Sequence, residues 1–128
     1  MVLDSSAIIA ILLREPERFR FLDLIDQSDT VLLSAATALE TAIVIEHRRG
    51  PVGANELDIF LQRAAIQIVS VDTEQLAIAR HAWRKYGKGR HPAALNLGDC
   101  FVYGLTKVSN EPLLAKGSDF RKTDLQLL

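Results

Sequence analysis

Four acidic residues of this sequence stand apart from its other charges, because each lies among apolar or small residues. Asp4 follows a short apolar strand, and Glu40 is the only charged residue between positions 35 and 45. Asp99 opens an apolar segment, and Asp119 follows Gly117-Ser118. Carboxylates are uncommon inside proteins unless they are paired or bind a metal. The four acids are therefore the first candidates for a catalytic or metal-binding site.

Each of these acids, taken alone, also has an ordinary structural interpretation. Asp4 and Asp99 lie where helices begin, and acidic side chains cap helices and favour their first turn. Glu40 could be a single exposed residue on the narrow polar stripe of a helix. Asp119 could belong to an ordinary Gly-Ser-Asp turn. Both interpretations stay open for each residue.

The four positions argue more strongly in combination. Three of them lie near the ends of predicted strands or the starts of the following helices, and one edge of a parallel sheet gathers such positions. Carboxylates held close together repel, and they stay ionised only if cations neutralise them. Oxygen ligands without His or Cys favour Mg²⁺ or Mn²⁺ over zinc. Such metals polarise phosphoryl oxygens and activate water, so the site suits hydrolysis of phosphodiester bonds.

The elements that must position these acids are short strands alternating with helices. Strands are predicted at 2–4, 30–34, 67–71 and 112–115, with a possible edge strand at 124–128. Helices are predicted at 5–13, 17–25, 55–65, 73–86 and 98–108, together with one that contains Glu40 and ends before Gly50. On helix 73–86, Leu76, Ala79 and Trp83 are expected to face inward. The pattern predicts an α/β fold, a three-layer α/β/α sandwich around a mostly parallel sheet of four or five strands.

Length and composition limit the class of protein. The 128 residues suit one domain over positions 1–128, and 48% apolar with 24% charged residues is typical of a globular protein. The apolar run at 7–13 is too short to span a bilayer, and its flanking charges are atypical of a secretory signal. Cys100 is the only cysteine, so no intramolecular disulfide is possible. We expect a cytoplasmic protein with no membrane role.

A basic segment precedes Asp99 and is the second candidate functional region. The net charge of −1 gives no overall attraction to nucleic acid, but positions 80–91 contain no carboxylate. Five of its residues are candidates for contacts with RNA phosphates: Arg84, Lys85, Lys88, Arg90 and His91. Alternatively, these cations only occupy the solvated end of a helix, where the helix dipole favours them.

Four short segments resemble the PIN domain and, more narrowly, the VapC toxins of VapBC toxin–antitoxin pairs. They are Val2-Leu3-Asp4-Ser5-Ser6-Ala7, the helical Glu40, Leu97-Gly98-Asp99-Cys100 and Gly117-Ser118-Asp119-Phe120. No single segment is specific, but all four occur in order along the whole chain at about the expected separations. The resemblance implies a PIN-like sandwich and an endoribonuclease that hydrolyses RNA with Mg²⁺ or Mn²⁺.

The resemblance also implies a role for each residue. Asp4, Glu40 and Asp99 correspond to the main catalytic and metal-binding acids, Asp119 to the fourth acid, and Ser6 to a supporting hydroxyl residue. The implied partners are the RNA substrate and a VapB-type antitoxin, with a homodimer that becomes a heterotetramer or larger complex when the antitoxin binds. The alternative is a catalytically silent PIN-fold module that binds RNA or a protein partner.

Overall fold

The computed structural model describes residues 1–128 and contains four strands and five α-helices. The strands are β1 (Val2–Leu3), β2 (Leu32–Ser34), β3 (Gln67–Val69) and β4 (Leu113–Leu114). The helices are α1 (Ser5–Leu12), α2 (Arg18–Asp26), α3 (Ala35–Arg63), α4 (Thr73–Tyr86) and α5 (Leu97–Ser109). A short 3₁₀ helix, Asp119–Lys122, follows β4. The predicted three-layer α/β/α fold is confirmed, and no helix has both the length and the apolar character that a membrane span requires.

The sheet has the strand order β3-β2-β1-β4, and every pair is parallel. Val2 of β1 is aligned with Leu32 on one side and with Leu113 on the other. Because the strands are parallel and in register, the chain leaves all of them at the same edge. Asp4, the beginning of α3 and the segment that leads to Asp119 therefore emerge near one another.

Alternation along the strands builds a hydrophobic core on each face of the sheet. Leu3, Leu33 and Leu114 belong to the core that α1, α2 and α3 cover. Val2 and Leu113 belong to the opposite core, which α4 and α5 cover. All five are completely buried, as the period of two in a strand between two helical layers requires.

Helix α3 consists of two helical halves that meet at a kink, at the position where Gly50, Pro51 and Gly53 predict a break. Gly50 is the only residue within Ala35–Arg63 with non-helical backbone angles, at φ 61° and ψ −151°. Pro51 then begins the second half of the helix, a position where its missing N–H costs no hydrogen bond. The predicted break is thus confirmed at Gly50, but it is a single-residue kink rather than a loop, and the second helical half starts at Pro51 instead of near Asn55.

The C-terminal segment does not form the possible fifth strand. It makes only an isolated parallel bridge between Leu113 and Leu127. Leu113 donates to the carbonyl of Gln126 and accepts from the N–H of Leu128, and the pairing extends no further. Since β4 itself has two residues, it offers this segment too short an edge for a regular strand.

The inward orientation expected for Leu76 and Trp83 on α4 is wrong. Leu76 is 51% exposed and Trp83 is 45% exposed, whereas Ala79 and Ala82 are buried. The reason is the close approach of α5: a Cβ on Gly104 would lie 2.9 Å from the carbonyl oxygen of Gln75. Near Gly104 only a small residue such as Ala79 fits between the two helices, so Leu76 and Trp83 lie beside this contact. At the end of α4, by contrast, Tyr86 packs against Tyr103 of α5.

Gly104→Ala should destabilise the fold, because the added methyl group would meet backbone of α4 rather than a mobile side chain. We expect a loss of about 1–3 kcal/mol in the free energy of unfolding, as for other overpacked sites. Denaturant unfolding measures the change, and Gln62→Ala at an exposed position of α3 is the control, expected within about 0.5 kcal/mol. An unchanged midpoint for Gly104→Ala would contradict the close helix contact.

Candidate active site

Asp4 occupies the junction between β1 and α1 and is 7% exposed. Its carboxylate caps α1, because Oδ2 accepts hydrogen bonds from the backbone N–H of Ser6 at 3.0 Å and from the Ser6 hydroxyl. The capping interpretation is thus confirmed. Burial raises the pKa of Asp4, the hydrogen bonds from Ser6 lower it, and the negative charge of Glu40 raises it further. The net shift of the pKa is upward, so Asp4 caps the helix and is also less easily ionised than a free aspartate.

Ser6 connects the ends of two neighbouring strands. Its hydroxyl donates to Asp4 and accepts a hydrogen bond from the backbone N–H of Lys116 at 2.9 Å, just beyond β4. The side chain of Lys116 is paired with Glu15 and with Glu17. The cationic side chain that follows β4 is therefore already paired with other carboxylates. Ser6 fixes the Asp4 carboxylate through hydrogen bonds alone.

Asp99 lies in the first turn of α5 and forms a capping box with Asn96. Its Oδ2 accepts from the N–H of Asn96 at 3.0 Å, and Asn96 Oδ1 accepts from the N–H of Asp99 at 2.9 Å. Burial raises the pKa of Asp99 to about 6, and the charges of Asp4, Asp119 and Glu40 add to the increase. The fold therefore brings Asp99 within electrostatic reach of the other three acids. We call Asp4, Glu40, Asp99 and Asp119 the acidic cluster.

Glu40 reaches the acidic cluster from α3, on the opposite side of the site from Asp4's strand. It is partly exposed, and its carboxylate lies directly against Gly98 of α5. Glu40 takes part in none of the side-chain hydrogen bonds or ion pairs of the structure. Its isolation in an apolar stretch of sequence favours a partly buried side chain, and the structure shows Glu40 partly buried.

Asp119 begins the 3₁₀ helix and is exposed. It follows Gly117, which has a φ of 99°, so the predicted turn is present. Its carboxylate contributes to the raised pKa of Asp99. Asp119 is thus the most solvent-accessible member of the acidic cluster, on the open side of the site.

The donor set of the acidic cluster fits a hard divalent cation. None of the five ion pairs in the structure involves any of its four carboxylates, so its negative charge has no protein counter-ion. Oxygen ligands of this kind suit Mg²⁺ or Mn²⁺. The arrangement is open: no group of three or more His, Cys, Asp or Glu side chains encloses a metal position. The carboxylate oxygens are therefore the right donor type for such a cation, but they do not converge on one metal position.

Two residues that help to build the site were missed as functional candidates. Asn96 orients Asp99 through the capping box, and the pattern of Asn followed three residues later by Asp could have indicated it. Gly98 adjoins the Glu40 carboxylate, and no local sequence pattern reveals this contact between α3 and α5. Asn96 is hydrogen-bonded to Asp99 and Gly98 adjoins Glu40, although neither residue belongs to the acidic cluster.

The basic segment lies at the end of α4 and in the loop before α5. Arg84 and Lys85 occupy the last turn of α4, which confirms the helix-end interpretation for these two. The guanidinium of Arg90 lies 4.1 Å from the centre of the Trp83 ring. His91 accepts a hydrogen bond from the N–H of Ala93 and packs edge-on against Tyr86. The loop is therefore partly held by its own basic residues, whose contact with RNA stays a prediction.

An exposed apolar surface borders the acidic cluster. It covers parts of α3, α4 and α5, and we call it the α3–α5 apolar surface: Leu39, Ile43, Leu76, Trp83, Leu97 and Phe101. Its two adjoining grooves share Leu97 and Phe101, and one of them also includes Glu40 and Gly98. Leu97 is 75% exposed, an unusual state for a large apolar side chain next to an active-site candidate.

Comparison with known proteins assigns this architecture to a family. Residues 1–125 match the model of the PIN domain. The chain is 52% identical to ribonuclease VapC30 of Mycobacterium tuberculosis, over 98% of this chain and 95% of that protein. It is 51% identical to a ribonuclease VapC of Mycolicibacterium smegmatis, over 98% and 97%. The chain therefore belongs to the PIN domain family and, within it, to the VapC group.

Solved structures show the same fold at low sequence identity. The VapBC2 complex of Rickettsia felis, bound to a fragment of promoter DNA, matches with a TM-score of 0.79 at 14% identity, covering 99% of this chain and 96% of that chain. VapC20 of Mycobacterium tuberculosis, a toxin that cleaves the sarcin–ricin loop, matches with a TM-score of 0.76 at 15% identity, covering 99% and 97%. The arrangement of strands and helices is thus kept where most side chains differ.

Asp99→Asn should make the metal-free protein more stable at pH 7.5 but not at pH 4. The folded-state pKa of about 6 lies above the ordinary value of 3.8, so the stability that a protonated Asp99 supplies is lost as the pH rises through about 6. Because Asp99 is partly exposed, we discount the effect to about 1 kcal/mol, or roughly 4 °C in melting temperature. Thermal melts in EDTA measure it; an equal difference at both pH values would contradict the raised pKa.

Proposed function

We propose that this protein is the toxin of a type II toxin–antitoxin pair, an endoribonuclease that hydrolyses RNA phosphodiester bonds with Mg²⁺ or Mn²⁺. The observation that carries the proposal is the acidic cluster itself: Asp99 lies within electrostatic reach of Asp4, Asp119 and Glu40, and none of the four carboxylates forms an ion pair with a protein cation. The names of relatives more than half identical in sequence, which are ribonucleases, support RNA as the substrate.

In this proposal Asp4, Glu40 and Asp99 hold the divalent cation and Asp119 is the fourth acid. When bound, the cation polarises a phosphoryl oxygen of RNA, activates water and stabilises the leaving oxygen. Ser6 holds Oδ2 of Asp4, and the N–H of Asn96 holds Oδ2 of Asp99. Each aspartate therefore keeps its second oxygen free of hydrogen bonds from these partners and available as a ligand.

Protons compete with the cation for the same carboxylates. The pKa of Asp99 near 6 means that this residue is mostly ionised at neutral pH and mostly protonated at pH 5. Ligands must be deprotonated to bind a metal, so binding weakens as pH falls. We expect activity to decline below about pH 6 for this reason.

The proposal extends to substrate contacts. We assign to RNA phosphates the basic residues in the last turn of α4 and in the loop that leads to the Asp99 end of α5: Arg84, Lys85, Lys88, Arg90 and His91. Such cations lower the cost of bringing a polyanion to a negatively charged site. RNA specificity would then depend on loop shape and local bases, as it does for most proteins that read single-stranded RNA.

Asp4→Ala and Asp99→Ala should each reduce cleavage of labelled RNA at least about 100-fold, because each removes a ligand whose charge the cation needs. EDTA should abolish cleavage and added Mn²⁺ restore it, and attack by water predicts products with a 5′-phosphate and a 3′-hydroxyl. Asp58→Ala, at an exposed position of α3, is the matched control and should cut normally. RNA binding without cleavage by the unaltered protein would favour the silent binding module instead.

For assembly, we propose a homodimer that binds a VapB-type antitoxin to give a heterotetramer or larger complex. The α3–α5 apolar surface supports the dimer, because large apolar patches on a protein surface are typical of interaction sites. Structures of similar fold include VapBC complexes from Rickettsia felis and Haemophilus influenzae, which supports the antitoxin partner.

Leu39→Arg should dissociate this dimer, because it places a charge in the α3–α5 apolar surface, where Leu39 is 64% exposed. We expect the dimer dissociation constant to rise at least about 100-fold, equivalent to about 2.7 kcal/mol. Sedimentation velocity over a range of concentrations measures it. Val52→Arg, 63% exposed on α3 outside that surface, is the control. A dimer equally stable in both variants would show that another surface mediates assembly.

A further inference from the structure

Gly98 lies where Glu40 of α3 meets the first turn of α5. A Cβ built on Gly98 would lie 3.2 Å from Cδ of Glu40 and closer still to its Oε2, and 3.4 Å from Oδ1 of Asn96. Carbon atoms at optimal contact are about 3.5–4.0 Å apart, so a side chain at position 98 and the present position of Glu40 are incompatible. The obstacle is the mobile end of a side chain rather than backbone.

Neither backbone strain nor helix stability accounts for a glycine at this position. Gly98 is not among the residues with positive φ, so an L side chain meets no backbone penalty there. Glycine is among the poorest helix formers, and alanine at position 98 would favour α5. The one unfavourable consequence of a side chain at Gly98 is the displacement of the Glu40 carboxylate.

We propose that Gly98 is a positioning residue for Glu40: its missing side chain reserves the place that the Glu40 carboxylate occupies beside Asp99. This inference rests on the proposed function, because it assigns Glu40 to the cation site. Asp99 and Glu40 belong to helices that are far apart in sequence. Because Gly98 has no side chain, the Glu40 carboxylate can approach the first turn of α5, where Asp99 lies. A larger residue leaves all four acids in the chain and turns one of them away.

Gly98→Ala should therefore weaken Mn²⁺ binding at least about tenfold and reduce RNA cleavage, while the melting temperature in EDTA stays the same or rises. Calorimetric titration with Mn²⁺ alone gives a readout that does not depend on turnover. Ser109→Ala, at the other end of α5, is the control for a substitution in the same helix and should bind Mn²⁺ normally. A lower melting temperature for Gly98→Ala would indicate a packing role and overturn the proposal.

A double-mutant cycle with Glu40→Asp separates positioning of Glu40 from an effect on the adjacent Asp99. The shorter aspartate withdraws the carboxylate from the position that the new methyl group takes. Gly98→Ala should then cost at most about threefold in Mn²⁺ affinity in the Glu40→Asp background, against at least about tenfold alone. Equal costs in both backgrounds would show that Gly98 acts through another residue and would overturn the proposal.

The contact itself is testable without metal. In EDTA, the unaltered protein should show a nuclear Overhauser effect between the Gly98 Hα and Glu40 Hγ protons, and its absence would overturn the proposal. If the unaltered protein shows this contact but binds no Mn²⁺ and cuts no RNA, the proposed function fails. If it binds Mn²⁺ and Gly98→Ala binds it equally well, only the role of Gly98 fails.

Discussion

Repulsion among carboxylates at one edge of a parallel sheet is the constraint around which this structure is organised. The register of β1 with β2 and β4 makes their carboxyl ends coincide, so Asp4 and the segment that leads to Asp119 leave the sheet at the same edge, where α3 and the first turn of α5 bring Glu40 and Asp99. The consequence is visible in Asp99, whose pKa rises to about 6 under burial and the charges of Asp4, Asp119 and Glu40. These four carboxylates have no protein counter-ion, which is the basis for proposing a divalent cation at the site.

The structure meets the cost of this repulsion with hydrogen bonds rather than with protein cations. Ser6 and Asn96 bond to Asp4 and Asp99, whereas Lys116 is paired with Glu15 and Glu17. As a result, helix capping and the proposed metal binding are compatible for the same carboxylate. A cap uses one oxygen of a carboxylate, which fixes its orientation and leaves the other oxygen for a ligand.

The surface next to the acidic cluster carries both apolar and basic residues. The groove that contains Leu97 and Phe101 is mostly apolar, and two basic residues of α4, Arg80 and Arg84, line the same groove. The proposed dimer surface and the proposed RNA contact of Arg84 therefore adjoin each other beside the start of α5. Gly98 and Asp99 lie in the first turn of α5, next to both of these surfaces.

The sequence by itself determined the alternation of strands and helices, the position of Asp4, Asp99 and Asp119 near element boundaries, and the kinship with PIN domains. These are local properties, because a period of two, a capping residue or a short motif is complete within a few neighbours. The assignment of Asp4, Glu40, Asp99 and Asp119 to one site followed from topology, since parallel strands end at a common edge. It remains a proposal about function, supported by the electrostatics of Asp99.

Only the tertiary structure decided the contacts between distant segments. Trp83 is exposed because Gly104 draws α5 close to the alanines of α4, and helical periodicity could not distinguish a core position from one beside a tight contact. Gly98 adjoins Glu40 because α3 and α5 pack together at the site. A glycine's role is set by what occupies the space around it, and that neighbour can come from anywhere in the chain.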